Sequence, residues 1–286
     1  MTITTNQRHD AAFLIELDRE AERHDVPVTG GHVTWRRFGN AGGTPLVLLH
    51  GGHGRWGHWA RNIRPLTARY TLLVPDLPGY GDSSTPPAAT HEALVDATRD
   101  SLGALVGAST PIYLAGFSFG GLTAARLAVR RGHIAQLALF GSGGAGGARR
   151  PRGALTAWRD AAERGDAAAL AEVMRHNLLM HMLHDPASVD ELALHIHTDA
   201  CLATRFRSKV ISLAGGLATS LGQYPGPLLL AWGEHDVTAV PEVVLPALAQ
   251  GRVDCETRIV AGSGHWVQYE RADEVNRLLM ALPARV

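Results

Sequence analysis

Residues 114–121, LAGFSFGG, set one serine between two phenylalanines and bracket the group with Gly116, Gly120 and Gly121. The stretch closes an apolar run, PIYLAGF (111–117), and opens a segment of helical spacing, GLTAARLAVRRG (121–132). A Gly-x-Ser-x-Gly pattern in that context specifies a sharp strand-to-helix turn, with the serine in a strained conformation at the carboxyl edge of a sheet. Gly116 and Gly120 omit a Cβ where strand and helix crowd the turn, and Gly121 lets the new helix approach the sheet. Ser118 is therefore a candidate nucleophile, and the fold it requires is a sheet of parallel strands alternating with helices.

A serine hydroxyl is a weak nucleophile until a base takes its proton, so an acid and a histidine must follow, in that chain order. LLLAWGEHD (228–236) ends an apolar run at Asp236, and RIVAGSGHW (258–266) ends the next at His265. Both then fall at the carboxyl ends of strands, where ligand chemistry collects in open α/β sheets. Glu234 is the competing acid, expected deeper in its strand; Asp236 read structurally would cap the helix of PEVVLPAL (241–248), and His265 is one of 15 histidines. Amide donors for a developing oxyanion come from HGGHGRWGHW (50–59) after the apolar PLVLL (45–49): Gly52 N–H, joined by Phe119 N–H next to the nucleophile. Gly51, His53 and Phe117 should line the pocket, with Arg55, Trp56 and His58 as further candidates.

The rest of the chain fits the same frame. Residues 11–24 have the spacing of a short amphipathic helix, followed by strands at HVTWRRFG (32–39) and TPLVLLHGG (44–52). Further strands are expected at 71–76, 111–117, 134–141, 227–234 and 255–262, and helices at 57–69, 90–108, 119–131, 241–250 and 270–282. The alternation breaks once, where an Ala-, Leu- and His-rich stretch of helical spacing lies between Gly-rich joints. The expected organisation is a core from 1–141 and 225–286, with 142–224 inserted as a helical cap over the strand ends.

Composition narrows the function. Lys and Arg total 27, as do Asp and Glu, with no run of one sign, so nucleic acid and anionic membranes have no electrostatic handle. The start, MTITTNQRHDAAFLIELDRE, lacks a basic region leading into an apolar one, and no apolar segment reaches about 18 residues. The two cysteines, Cys201 and Cys255, are too few for a disulfide scaffold. These features suggest a cytoplasmic protein whose partner is a small-molecule substrate, with a homodimer allowed. GSGGAG (141–146) matches a dinucleotide fingerprint, but Pro151 and Gly153 interrupt the helix it needs, so a hinge is expected. His176, His181, His184, His195 and His197 lack the i, i+4 spacing of a zinc helix. Neither metal nor other cofactor is anticipated.

Together these residues resemble the α/β-hydrolase superfamily over essentially the whole chain. VPDLPGYGDSS (74–84) is similar to that family's Asp-x-x-Gly-x-Gly-x-Ser segment. The resemblance implies a cofactor-free acyl-enzyme mechanism with His265 as base and then acid, Asp236 fixing its tautomer, and water resolving the ester. GSGHWVQYERADEVNRLL (262–279) is similar to the end of the meta-cleavage-product C–C hydrolases, which implies a pocket role for Trp266. Those enzymes carry a small polar residue where this chain has Phe117, and a Ser-Gly-Pro-Gly loop where it has GGHGRWG. A dienoic ketoacid would also want a cation from the cap, for which Arg205 or Arg207 is available. Dehalogenase and epoxide-hydrolase chemistry needs an aspartate in place of Ser118. The expected activity is hydrolysis of a small ester, lactone or enol ester, with C–C hydrolysis second and a ligand receptor on the same fold third.

Overall fold

The computed structural model describes residues 11–283, so residues 1–10 of the opening segment considered above lie outside them. In chain order the first elements are α1 (Ala11–Glu20), β1 (Glu22–Val28), β2 (Gly31–Phe38) and β3 (Thr44–Leu49). A 3-10 turn at Trp56–Trp59 leads to α2 (Ala60–Leu66), β4 (Tyr70–Pro75), α3 (His91–Val106), β5 (Ile112–Phe117), α4 (Phe119–Arg131) and β6 (Ile134–Phe140). Five α-helices follow without a strand between them: α5 (Arg159–Glu163), α6 (Ala167–His181), α7 (Glu191–Leu202), α8 (Lys209–Leu213) and α9 (Leu217–Gln223). The chain then returns through β7 (Leu228–Gly233), α10 (Pro241–Ala249), β8 (Cys255–Val260), α11 (Val267–Glu270) and α12 (Ala272–Met280).

The strands form one eight-stranded sheet in the order β1-β2-β4-β3-β5-β6-β7-β8. β1 and β2 pair antiparallel, as do β2 and β4, and every pairing from β4 through β3 to β8 is parallel. Alternate residues of the central strands feed two cores. Leu46, Leu48, Tyr113 and Ala115 pack with α1, α2, α12 and the inserted helices α6 and α7; Val47, Leu49, Ile112 and Leu114 pack with α3, α4, α10 and the inserted helix α9. All residues of β4, β5 and β7 are buried, which is why these strands read as unbroken apolar runs.

One expectation is corrected. The helix predicted over 11–24 ends at Glu20, and Glu22–Val28 forms edge strand β1, joined to β2 by a two-residue turn at Thr29–Gly30. Only Val26 of β1 is buried, so its sequence, ERHDVPV, carries no alternating apolar pattern to betray it. Polar side chains and a proline are what an unpaired sheet edge favours.

The inserted helices are fastened to the sheet's carboxyl rim. Arg55 pairs with Asp199 and Arg61 with Asp190, both on the segment that forms α7, and the Arg61 guanidinium lies 3.9 Å above the Tyr269 ring. The amides of Arg205 and Phe206 both donate to Gly79 O, at 2.9 and 3.1 Å. Asp76, fully buried, accepts from Trp56 N–H at 2.9 Å and Asp82 N–H at 3.0 Å, so the 76–84 segment braces the loop after β3.

Candidate active site

Ser118 sits between β5 and α4 with φ 53° and ψ −118°, a left-handed backbone conformation that costs a non-glycine residue about 1–3 kcal/mol. The crowding around it accounts for the glycines. A Cβ on Gly116 would lie 2.3 Å from Gly120 O, one on Gly120 2.2 Å from His50 O, and one on Gly121 2.7 Å from Ser142 Oγ. The turn is locked from both sides: Ser118 N–H donates to Phe140 O at 2.9 Å, and Gly143 N–H donates to Ser118 O at 2.8 Å.

The three predicted residues converge. His265 Nε2 lies 2.9 Å from Ser118 Oγ, and His265 Nδ1 lies 2.8 Å from Asp236 Oδ2. Asp236 is fully buried and His265 is 3% exposed. The second oxygen of Asp236 accepts from the Thr238 amide at 2.7 Å and its hydroxyl at 2.8 Å. Burial works to raise the Asp236 pKa, but the His265 imidazole and the two Thr238 donors outweigh it and hold the carboxyl below its ordinary value. Gly141 seats the pair: a Cβ there would fall 3.1 Å from Asp236 Oδ2 and 3.2 Å from His265 Nδ1. The first glycine of GSGGAG thus belongs to this site, and no helix follows it until α5.

Glu234 lies past the end of β7 rather than deep within it, with 45% of its side chain exposed, and accepts from Gly262 N–H at 2.8 Å.

The loop after β3 lies against the serine. A Cβ on Gly51 would sit 3.1 Å from Ser118 Cβ, and one on Gly52 3.7 Å from Phe119 Cβ. Two imidazoles clamp the Gly51 peptide. His58 Nδ1 accepts from Gly51 N–H at 3.2 Å; His50 Nε2 accepts from Leu77 N–H at 2.9 Å, which leaves its Nδ1–H to donate to Gly51 O at 2.8 Å. Both rings must be neutral to do this. Burial lowers the His50 pKa to about 4 and carries His58 well below its usual value.

The remaining predicted residues divide. The Phe117 ring packs 4.9 Å from His265 and 5.5 Å from His58, beneath the site. Trp266 is fully buried, stacks on Tyr269 at 4.3 Å and donates its indole N–H to His58 O at 3.0 Å, so it backs the wall rather than forming its surface. His53 is half-buried with φ 48°, its pKa lowered by burial and by the charges of Arg159 and Lys209. Arg205 is exposed, and its guanidinium binds Thr85 Oγ1, Ala203 O, Gly81 O and Ser83 O. It fastens the 79–85 loop to the insertion.

Motif reading missed several residues. Thr238 and Gly141 shape the Asp236–His265 pair. Glu270 accepts from the amides of Gly264, His184 and Asp185, tying the His265 loop to the end of α6. His181, the last residue of α6, stands 5.5 Å ring to ring from His265. Thr238 and Gly141 act within the core, whereas the contacts of Glu270 and His181 exist only when the insertion is folded onto the rim. Of the other inserted histidines, His176 contacts Ala154 O, His184 stacks on His235 at 3.6 Å and His197 lies beside Cys201. Among the described residues no group of three or more His, Cys, Asp or Glu side chains is arranged to hold a metal. Cavities of ≈ 290 and ≈ 250 Å³ open at the opposite, amino ends of the strands and include no residue of the Ser118 site.

Residues 46–278 match the alpha/beta hydrolase family. The chain belongs to that family and is an enzyme of it. It is 30% identical, over 96% of its length and 74% of the relative's, to the dihydrolipoyllysine-residue acetyltransferase component of the acetoin cleaving system of Pseudomonas putida. It is 28% identical to the 2-hydroxy-6-oxo-6-phenylhexa-2,4-dienoate hydrolase of Comamonas testosteroni, covering 82% of this chain and 86% of that one. In fold it is similar to an esterase from Rhodococcus sp. ECU1013, with a TM-score of 0.72, 22% identity and coverage of 92% and 100% of the two chains. No helix among the described residues is long and apolar enough to cross a membrane.

Proposed function

We propose that the protein is a cofactor-free serine hydrolase that cleaves a small carboxylic ester, lactone or enol ester through an acyl-enzyme, with 142–224 as its cap. The observation that carries this is the unbroken chain Ser118 Oγ, His265 Nε2, His265 Nδ1, Asp236 Oδ2, at 2.9 and 2.8 Å. In that chain Ser118 O–H donates to Nε2, and Nδ1–H donates to the carboxylate, which fixes the tautomer and stabilises the imidazolium as the proton moves. The serine attacks the carbonyl, and its proton passes to Nε2 and then to the leaving oxygen. Water, deprotonated by the same nitrogen, then releases the acid. The donors to the oxyanion are the amide of Gly52, on a loop that His50 and His58 hold rigid, and that of Phe119, the first residue of α4. Gly51, His53, Phe117 and Trp266 form or back the surrounding wall.

C–C bond hydrolysis is the second reading, favoured by the dienoate-hydrolase relative and by the His265–Trp266 sequence. A panel of p-nitrophenyl esters, lactones and dienoic ketoacids, assayed with wild type and Ser118→Ala, tests both. The first reading expects the esters or lactones to give the higher kcat/KM. Turnover confined to ketoacids would replace it with the second. Single-turnover labelling without release would point to a receptor.

A further inference from the structure

A segment of the insertion packs against the loop after β3. Ser208 is 3% exposed and stands at the N-cap position of α8, where a serine hydroxyl ordinarily accepts a helix amide. Here it makes no capping bond. It is turned instead onto the loop after β3: a Cβ on Gly52 would lie 2.4 Å from Ser208 Oγ and 3.7 Å from Phe119 Cβ. One small space therefore holds the Ser208 hydroxyl and the two residues whose amides were assigned to the oxyanion.

Behind Ser208 is Tyr80, fully buried, whose hydroxyl has no well-formed hydrogen bond among the described residues. Burial pushes the Tyr80 pKa up, and the nearby Ser208 hydroxyl partly offsets this. The Tyr80 hydroxyl is thus a buried polar group without a good partner beside a reactive centre, and such a group calls for one. The position is enforced from several sides. Phe206 stacks on Phe119 at 5.9 Å and packs 6.0 Å from Tyr80, Ser212 N–H donates to Ser208 O at 2.9 Å, and Gly144 N–H donates to Ser212 O at 3.0 Å.

We propose that Ser208 is a third oxyanion donor, supplied by the cap: its O–H donates to the developing alkoxide, and Tyr80 O–H donates to Ser208 Oγ as a positioning residue. No proton is transferred; both hydroxyls orient and polarise. Seating α8 then completes the oxyanion site, so cap closure and transition-state stabilisation are one event. The inference rests on the serine-ester reading above.

The test uses the full-length protein with p-nitrophenyl acetate and with phenylboronic acid, whose tetrahedral adduct mimics the oxyanion. Ser208→Ala is expected to lower kcat about 10- to 100-fold with KM within about threefold, and to weaken boronate inhibition by a similar factor. Tyr80→Phe should do the same at about two- to fivefold. Ser208→Thr and Ser208→Val share a shape, so their ratio isolates the hydroxyl from packing; Thr is expected to exceed Val by about tenfold in kcat. Equal activity of Thr and Val, or a loss confined to KM, would overturn the proposal while leaving the serine mechanism standing. Wild type inactive on every ester, or Ser118→Ala fully active, would overturn both.

Discussion

On the sheet rim, every polar group of the Ser118 site is already engaged: serine to imidazole, imidazole to carboxylate, carboxylate to the Thr238 amide and hydroxyl. The surrounding wall is different. Among the described residues His58 Nε2, His181 Nδ1, His197 Nδ1 and Tyr80 Oη are buried without a hydrogen-bond partner, and all four rings belong to the seam where the insertion meets the core. The contrast separates two tasks. Under the proposed function the rim is preorganised for a reaction whose charges are known in advance, and the wall keeps hydrogen-bonding capacity open for a substrate.

The contrast is broken most severely at the rim. Ser118→Ala and His265→Ala are each expected to cut kcat by about 10⁴-fold or more; the melting temperature should stay near wild type in Ser118→Ala and fall in His265→Ala, which leaves the buried Asp236 carboxylate without its imidazole. More than about a hundredth of wild-type turnover in Ser118→Ala would contradict the assignment. Asp236→Ala should cost about 10³- to 10⁴-fold, less than the other two because triad members act as a unit.

At the fastening between rim and insertion the effect is expected in stability. Asp190 caps α7 by accepting from Ala193 N–H at 2.9 Å, accepts from Tyr269 O–H at 2.5 Å and pairs with Arg61, whose side chain is 13% exposed. Asp190→Ala removes these three contacts and leaves the mostly buried Arg61 without this carboxylate, an expected loss of about 2–4 kcal/mol in denaturant unfolding. A loss under about 1 kcal/mol would mean that the insertion is held elsewhere.

The wall should show itself in acid. Burial sets the pKa of His50 and His197 to about 4 and of His91 and His181 to about 3, below the ordinary 6.5 that they recover on unfolding. Below pH 6.5 the unfolded chain therefore binds the extra protons. Stability is full above that pH and declines as it falls toward 4, by up to about 1.4 kcal/mol per pH unit for each such histidine. Melting temperatures at pH 7.5 and 5.0 should differ clearly; equal values would remove the buried neutral imidazoles from the account. The smallest effect is expected from Glu234→Gln, which should leave kcat within about twofold.

The same contrast explains what could be read in advance. Ser118 and Asp236 follow the fully buried strands β5 and β7, and His265 follows β8, where only Val260 is buried; a strand end is where sequence pattern and sheet geometry coincide. Edge strand β1 escaped because its residues face solvent, and Glu234 was misplaced by one strand end, since β7 stops at Gly233. Ser208, Tyr80, His181 and Glu270 escaped for a different reason. Their roles come from contacts between the insertion and the rim, between residues dozens to more than a hundred positions apart, and nothing in local periodicity encodes which face meets which. Arg205 illustrates the hazard: a cation in the right region, yet bound to the 79–85 loop.

The central claim is that one hydroxyl, activated by one imidazole, performs the chemistry. Incubation with a fluorophosphonate at neutral pH, followed by peptide mass mapping, tests it directly. The expected result is a single stoichiometric adduct on Ser118, formed at least about a thousandfold more slowly in His265→Ala. An adduct on another residue, or equally fast labelling without His265, would contradict it.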